Sequence, residues 1–301
     1  MRWIAFVVAL SACGRFGFGS EPDPDAIAAM GDGSPDAPPL GPFTSITLVP
    51  GINDPAAQDD DPSLTADMLE IYFDSERAAA GGGNGDIWFA SRTTITEPFS
   101  APVLVSELTS PGDDTTPDVS PDGLTIYFGS DRASAGNRDL YVSTRATRSS
   151  AWGAPQRITE LASPSDDSGA METEDGLHLV LASARAGTMD LYVATRTARD
   201  QPWGPPAPIP ALASATASED QHWIDATASV IYLAADLPGS VDADIWMATR
   251  RGGLTDYNAP VRLDELSSNV ADVDPWLSPD QRTMFFMSKR SGVGDIYMAT
   301  R

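Results

Sequence analysis

The stretch PDVSPDGLTIYFGSDR (residues 117–132) decides the fold, because its pattern recurs along the chain. It contains an SPDG turn, in which Pro restricts φ, Asp caps the turn and Gly takes the left-handed conformation that closes a hairpin. The segment TIYFGS that follows has the composition of a strand. A second such segment, DLYVSTR, begins at Asp139.

The closing motif of this unit occurs five times, as DIWFASR (86–92), DLYVSTR (139–145), DLYVATR (190–196), DIWMATR (244–250) and DIYMATR (295–301). Each unit opens on an aromatic residue, namely Phe43, Phe99, Trp152, Trp203 and Tyr257. Self-similarity at a fixed period of this length is typical of repeat architectures.

Each unit supplies four short segments rich in Tyr, Ile, Val and Trp, separated by Gly, Pro and Asp turns, which predict strands. We therefore predict an all-β fold, a five-bladed β-propeller of four-stranded blades. The chain ends on the third strand of the last unit, whereas residues 43–49 form an outer strand without a partner in their own unit. The N-terminal strand is expected to complete the last blade and close the ring.

The repeat resembles the WD-like repeat of TolB-type propellers, with the pattern P-x-x-SPDG-x-x-[IL]-Y-F-x-S-x-R followed by D-[IL]-Y. The resemblance covers residues 43–301 and implies a propeller of the bacterial envelope. TolB-type proteins carry an additional N-terminal α/β domain and six blades, and this sequence shows neither. A role in the Tol system is therefore not implied.

The N-terminus, MRWIAFVVALSACG, predicts export. An apolar run follows Arg2 and is too short to span a bilayer, so residues 1–12 are interpreted as a signal peptide. LSAC resembles a lipobox, which makes Cys13, the one cysteine of the chain, the predicted lipidation site. The alternative is an ordinary signal peptide with a chance cysteine. Residues 13–41 are predicted to be a disordered Gly/Pro/Asp-rich tether and residues 42–301 the propeller.

A net charge of −24 disfavours nucleic acid and anionic lipid surfaces as partners. Membrane attachment is expected through the lipid alone, at the outer membrane, on the periplasmic or the surface side. The protein is expected to be a monomer.

Two columns of repeated charges are interpreted as structural braces, which either form ion pairs within each blade or brace its turns. The acids occur in all five units and the arginines in four: Asp86, Asp139, Asp190, Asp244 and Asp295, with Arg77, Arg132, Arg185 and Arg290.

A third column precedes each innermost strand, and it consists of Asp59, Asp114, Asp167, Glu219 and Asp272. Radial repetition predicts a ring of carboxylates at the channel mouth, with further aspartates beside it. Oxygen ligands suit hard cations, so the ring is a candidate site for Ca²⁺ or a cationic ligand, although no cofactor is required. The alternative is that each acid caps its own loop and faces water.

The repeats differ most in the fourth unit, where EDQHWIDATAS replaces the SPDG hairpin and Leu237 replaces the arginine. His222, Trp223 and Trp276, with Asp118 nearby, form a candidate aromatic platform at the channel mouth. The alternative is that the tryptophans fill the channel core.

These features favour a non-catalytic envelope lipoprotein that binds a protein or glycan partner through its acidic face. The alternative is a glycoside hydrolase, in which Asp61, Asp118 and Glu172 would supply carboxyls roughly 5–10 Å apart. A third possibility is a passive assembly platform.

Overall fold

The computed structural model describes residues 40–77, 85–214 and 217–301. Cys13, the predicted signal peptide and all but the last two residues of the predicted tether lie outside the described residues. Every regular element in the described ranges is a β-strand. Among these residues no helix is long and apolar enough to cross a bilayer.

The strands form five antiparallel four-stranded sheets, which we number as blades I to V. Blade I contains β2 (Asp59–Leu64), β3 (Glu70–Ser75), β4 (Asp86–Ser91) and β5 (Val103–Leu104). Blade II contains β6 (Asp114–Val119), β7 (Thr125–Ser130), β8 (Asp139–Thr144) and β9 (Gln156–Arg157). Blade III contains β10 (Asp167–Glu172), β11 (His178–Ser183), β12 (Asp190–Thr195) and β13 (Ala207–Pro208). Blade IV contains β14 (Glu219–Ile224), β15 (Val230–Ala235), β16 (Asp244–Thr249) and β17 (Val261–Arg262).

Blade V joins the two ends of the domain and confirms the predicted closure. It contains β18 (Asp272–Leu277), β19 (Thr283–Ser288), β20 (Asp295–Thr300) and, from the N-terminal side, β1 (Thr47–Leu48). Strand β1 pairs with β20, with Thr47 opposite Met298. The amide of Thr44 adds a bond to the carbonyl of Thr300 at 2.9 Å. The five-bladed all-β fold predicted from the repeat is confirmed.

The second strand of each blade is almost wholly buried, because it lies between two strands of its own sheet and under the neighbouring blades. All six residues of β3 are buried, for example. Its aromatic and branched side chains pack across the junctions between blades. Full burial of one such side chain contributes about 1.5–3 kcal/mol.

The opening aromatic of each unit has a structural partner that explains its recurrence. In four units the guanidinium of the last arginine of the closing motif lies over this ring, at 4.1–4.4 Å from the centroid. In the last blade the pair is Arg301 and Phe43, which links the two ends of the chain. Such cation–π contacts contribute about 0.5–2 kcal/mol each.

A β-bulge interrupts each innermost strand, after its second residue in four blades and after its first residue, Glu219, in blade IV. The third residue has a left-handed backbone in four of the five strands: Asp61 (φ 47°), Thr116 (φ 52°), Gly169 (φ 46°) and Asp274 (φ 57°). A bulge adds a residue and redirects the side chains that follow it. The third, fourth and fifth residues of every innermost strand consequently line the propeller axis.

Candidate functional site

A small cavity lies on the propeller axis, and we call it the axial cavity. Its volume is about 40 Å³, and its walls are residues 61–63, 116–118, 169–171, 221–223 and 274–276. One water needs about 10–15 Å³ on this measure, so the cavity holds a few waters or an ion. Pockets for larger organic ligands are typically several hundred Å³.

Four aspartates meet beside this cavity, and we call them the aspartate cluster: Asp60 and Asp61, which are partly buried, and Asp74 and Asp274, which are buried. Carboxylate oxygens of the three from blade I lie within 4.8 Å of one another. Asp274 joins from blade V, where its Oδ2 lies 3.5 Å from the amide nitrogen of Asp61. Blade II contributes the amide of Thr116, which donates to Asp74 Oδ1 at 3.1 Å. The cluster therefore connects three blades.

Burial raises the pKa of all four carboxyls well above its ordinary value. The negative charges of neighbouring aspartates raise each pKa further, because like charges at short range oppose ionisation. None of the ion pairs found among the described residues includes a member of the cluster. The cluster thus concentrates negative charge without a fixed basic partner in that part of the chain.

Asp74 is a member that sequence reasoning missed. It occupies the fifth position of β3, where the other blades carry Gly129, Ala182, Ala234 and Met287. A charged residue at a position that is otherwise small or apolar was the available signal. The other acids that were predicted as ligands all lie outside the second strands.

The predicted ring of acids lies elsewhere, at the first residue of each innermost strand. Asp59, Asp114, Asp167, Glu219 and Asp272 are fully buried, and none of them lines the axial cavity. Each accepts a hydrogen bond from a backbone amide of its own preceding loop, as in Ser110 to Asp114 at 2.6 Å. These contacts favour the loop-capping alternative, although the acids face the interior and not water. We do not assign these five as cation ligands.

The predicted ion pairs of the braces were wrong, because the arginines pair with a different column of acids. Arg77, Arg132, Arg185 and Arg290 ion-pair with Asp59, Asp114, Asp167 and Asp272, 18 residues earlier in their own blades. The arginine turns back across its own sheet, and Arg132 for instance stacks over Phe128 and Tyr141 on the way. The constant 18-residue spacing was visible in the sequence and could have identified this pair.

The acids at the start of each third strand lie next to the following blade. At each junction, the amide of the first residue of an innermost strand donates to the carbonyl just before the first residue of the third strand in the preceding blade. The bonds run from Asp59, Asp114, Asp167, Glu219 and Asp272 to Gly294, Gly85, Arg138, Met189 and Ala243, at 2.8–2.9 Å. Asp295, Asp86, Asp139, Asp190 and Asp244 therefore lie beside the first-position acids of the following blade.

The candidate platform is buried and not exposed at a mouth. Trp223 and Trp276 are each 5% exposed, and their rings pack edge-on against Tyr232 and Phe285. His222 Nε2 lies 3.2 Å from the carbonyl oxygen of Val180. Burial lowers the pKa of His222 to about 4, so this side chain is neutral at pH 7. The residues do line the axial cavity, as the alternative of a filled channel implies.

The three carboxylates of the hydrolase alternative have different surroundings. Asp61 belongs to the aspartate cluster. Asp118 lines the axial cavity and accepts the Ser63 hydroxyl at 3.3 Å, and burial raises its pKa to about 8. Glu172 forms an ion pair with Arg196 and accepts the Tyr127 hydroxyl at 3.1 Å.

Solved structures with the same fold include both classes that the sequence suggested. TolB from Acinetobacter baumannii is 18% identical, with a TM-score of 0.50 over 80% of this chain and 53% of that chain. This chain therefore spans about half the length of that TolB. An endo-arabinase from Bacteroides thetaiotaomicron VPI-5482 is 12% identical, with a TM-score of 0.58 over 86% of this chain and 98% of that chain. The catalytic domain of the Coprinopsis cinerea GH62 alpha-L-arabinofuranosidase is 13% identical, with a TM-score of 0.56 and coverages of 86% and 96%.

The fold is shared with TolB-type propellers and glycoside hydrolases alike. At these identities the likeness shows the fold alone, because one fold carries many kinds of site. The sequence matches no protein-family model and no curated protein at a significant level.

Proposed function

We propose that this protein is a non-catalytic binding scaffold of a bacterial cell envelope and that its aspartate cluster binds a divalent cation, with Ca²⁺ as the first candidate. The observation that carries the proposal is the convergence of four buried or partly buried aspartates from two blades without a basic partner among the described residues. Buried like charges are unfavourable unless they take up protons or a cation. Carboxylate oxygens are the ligands that Ca²⁺ prefers.

A bound cation would also order the surface through which the scaffold acts. Asp60, Asp61 and Asp74 belong to blade I and Asp274 to blade V, the blade that contains the clasp between β1 and β20. A cation held by both blades would tighten this part of the ring. We propose that an envelope protein or glycan then binds at this acidic face, and that a lipid on Cys13 attaches the chain to the outer membrane.

A glycoside hydrolase is the second candidate, favoured by one observation. Asp118 has the raised pKa of a general acid and shares the axial cavity with Asp61. Three features weigh against it: the size of the cavity, the buried tryptophans and the engagement of Glu172 by Arg196. A sugar would fit only if the axial cavity became larger.

The cation proposal is tested by thermal unfolding of the full chain in EDTA, Ca²⁺ or Mg²⁺. We expect Ca²⁺ to raise the Tm of the wild type, because a ligand that binds only the folded state stabilises it by mass action. The variant Asp61→Asn/Asp274→Asn should lose this shift. Asp200→Asn, which removes one exposed carboxylate, is the control and should keep it. An equal Ca²⁺ shift in the wild type and the double variant would overturn the assignment.

The hydrolase candidate is tested separately with arabino-oligosaccharides and aryl glycosides. Turnover by the wild type that is lost in Asp118→Asn would replace the scaffold proposal. We expect no turnover from either protein.

A further inference from the structure

The five junctions between blades differ in how their buried acids are neutralised. Each junction brings together one acid at the start of an innermost strand and one from the preceding blade. At four of them an arginine of the following blade bonds the innermost-strand acid: Arg77, Arg132, Arg185 or Arg290. The junction between blades III and IV brings together Asp190 and Glu219, and here Leu237 occupies the arginine position.

Two further supports present elsewhere are missing at this junction. In the other blades a serine at the end of the second strand accepts the arginine Nε, and Ala235 replaces that serine in blade IV. In blades II and IV an outer-strand arginine also bonds the third-strand acid, as Arg157 does with Asp139. The equivalent residue of blade III, opposite Tyr192, is Pro208.

The two acids at this junction carry carboxyl oxygens without a hydrogen-bond donor. Glu219 is fully buried and Asp190 is 7% exposed. Glu219 Oε1 and Asp190 Oδ1 have no donor among the described residues. The Glu219 amide donates to the carbonyl of Met189, the residue before Asp190, at 2.8 Å, so the two acids are neighbours across the junction. The remaining oxygens accept the Ser214 amide at 3.1 Å and the Thr188 hydroxyl at 3.2 Å.

The charged groups nearest the pair offer no compensation. Asp220 follows Glu219 in β14 and adds negative charge. Arg185 of blade III acts on the same region, but its guanidinium bonds Asp167 at 2.8 Å and stacks over Tyr192. Two adjacent buried carboxylates without a shared cation cannot both be ionised.

We propose that Glu219 and Asp190 share one proton, and that this proton neutralises the junction between blades III and IV, where the innermost-strand acid has no arginine partner as it has at the other four. The proton makes one carboxyl a donor, so the two unpartnered oxygens become one hydrogen bond.

The raised pKa of Glu219 agrees with a proton shared between the two carboxyls. Burial is the main cause that raises the pKa of Glu219 to about 8, and the hydrogen bond to Asp190 and the charges of Asp190 and Asp220 raise it further, against the Ser214 amide, which lowers it. The pKa of an unfolded Glu is about 4.3. The stabilisation from the proton is therefore complete below about pH 4.3 and is lost as the pH rises to about 8. The junction between blades III and IV therefore becomes less stable as the pH rises.

The test is urea unfolding of the full chain in EDTA between pH 5 and pH 9. In the wild type, the loss of this one proton makes the unfolding equilibrium constant rise by up to about tenfold for each unit by which the pH increases, below pH 8. In Glu219→Gln, whose amide remains a donor to Asp190, that part of the pH dependence should disappear. Asp200→Asn removes one exposed charge and should follow the wild type.

A second variant rebuilds the arginine site of the other blades. Ala235→Ser/Leu237→Arg supplies the guanidinium and its serine, and we expect it to flatten the pH dependence as Glu219→Gln does. Infrared difference spectra give an independent reading. The carboxyl C=O band that is lost between pH 6 and pH 9 should be smaller in Glu219→Gln than in the wild type, because only other carboxyls with a raised pKa, such as Asp118, still contribute to it.

The proposal is overturned if Glu219→Gln keeps the pH dependence and the infrared band of the wild type. If the rebuilt variant does not fold, Glu219→Gln and the infrared band still decide the question. Because the measurements are made in EDTA, they do not depend on cation binding at the aspartate cluster.

Discussion

Two sets of buried carboxylates differ in how their charge is balanced, and the difference separates scaffold from candidate site. The first set, at the start of the innermost strands, is neutralised in four blades by arginines of the same blade, at 2.8 Å or less. The second set, the aspartate cluster, has no ion pair among the described residues. Four of the five first-position acids have an arginine partner as part of the repeated scaffold, whereas the aspartate cluster has none among the described residues and retains the capacity to bind a cation.

The largest expected effect comes from breaking a balanced pair. Arg132→Ala leaves Asp114 buried without its partner, because Asp114 is fully inaccessible. Removing one member of a buried pair typically costs about 3–5 kcal/mol of unfolding free energy. Urea unfolding at pH 7 measures the change. A loss below about 1 kcal/mol would mean that the arginines do not brace the blades.

Removing a carboxyl from the aspartate cluster should increase the free energy of unfolding, and not decrease it. Asp61→Asn removes one of several repelling carboxyls, so in EDTA at pH 7 we expect a gain in unfolding free energy, smaller in size than the loss in Arg132→Ala. Because the pKa of Asp61 is raised in the fold, the variant should also lose part of the decline in stability as the pH rises above about 4. A destabilised variant with an unchanged pH dependence would show that Asp61 serves packing and not charge.

The smallest effect is expected for an exposed ion pair. Arg251 and Asp256 are 58% and 46% exposed, and such pairs contribute about 0–1 kcal/mol. Arg251→Ala should change the free energy of unfolding by less than about 0.5 kcal/mol in the same urea experiment. A loss as large as that of Arg132→Ala would mean that arginine truncation is costly for reasons other than burial.

Much of the fold could be predicted from the sequence because the repeat is in phase five times. The spacing of closing motifs predicted four strands per unit, and the unpartnered segment at residues 43–49 predicted the clasp. Ser63, Asp118, Met171, Trp223 and Trp276 occupy equivalent positions when the units are aligned, and all five line the axial cavity.

The candidate site was predicted less well because alignment compares a residue with its equivalents and not with its spatial neighbours. Arg77 was paired with Asp86, although it reaches back to Asp59. The first-position acids were expected at the channel mouth, but the bulge in each innermost strand brings later residues to the axis. Asp74 reaches the cluster from a second strand, and no periodicity indicates that contact.

The number of blades, their strand order and the closure of the ring follow from the amino-acid sequence, because local strand and turn preferences repeat in every unit. Which charges meet depends on how the separate blades pack. Asp274 approaches Asp61 across the ring closure, 213 residues away, and Asp190 faces Glu219 across a junction where Leu237 has replaced an arginine. Electrostatic free energies depend on distance and burial, and both arise only when separate blades pack around one axis.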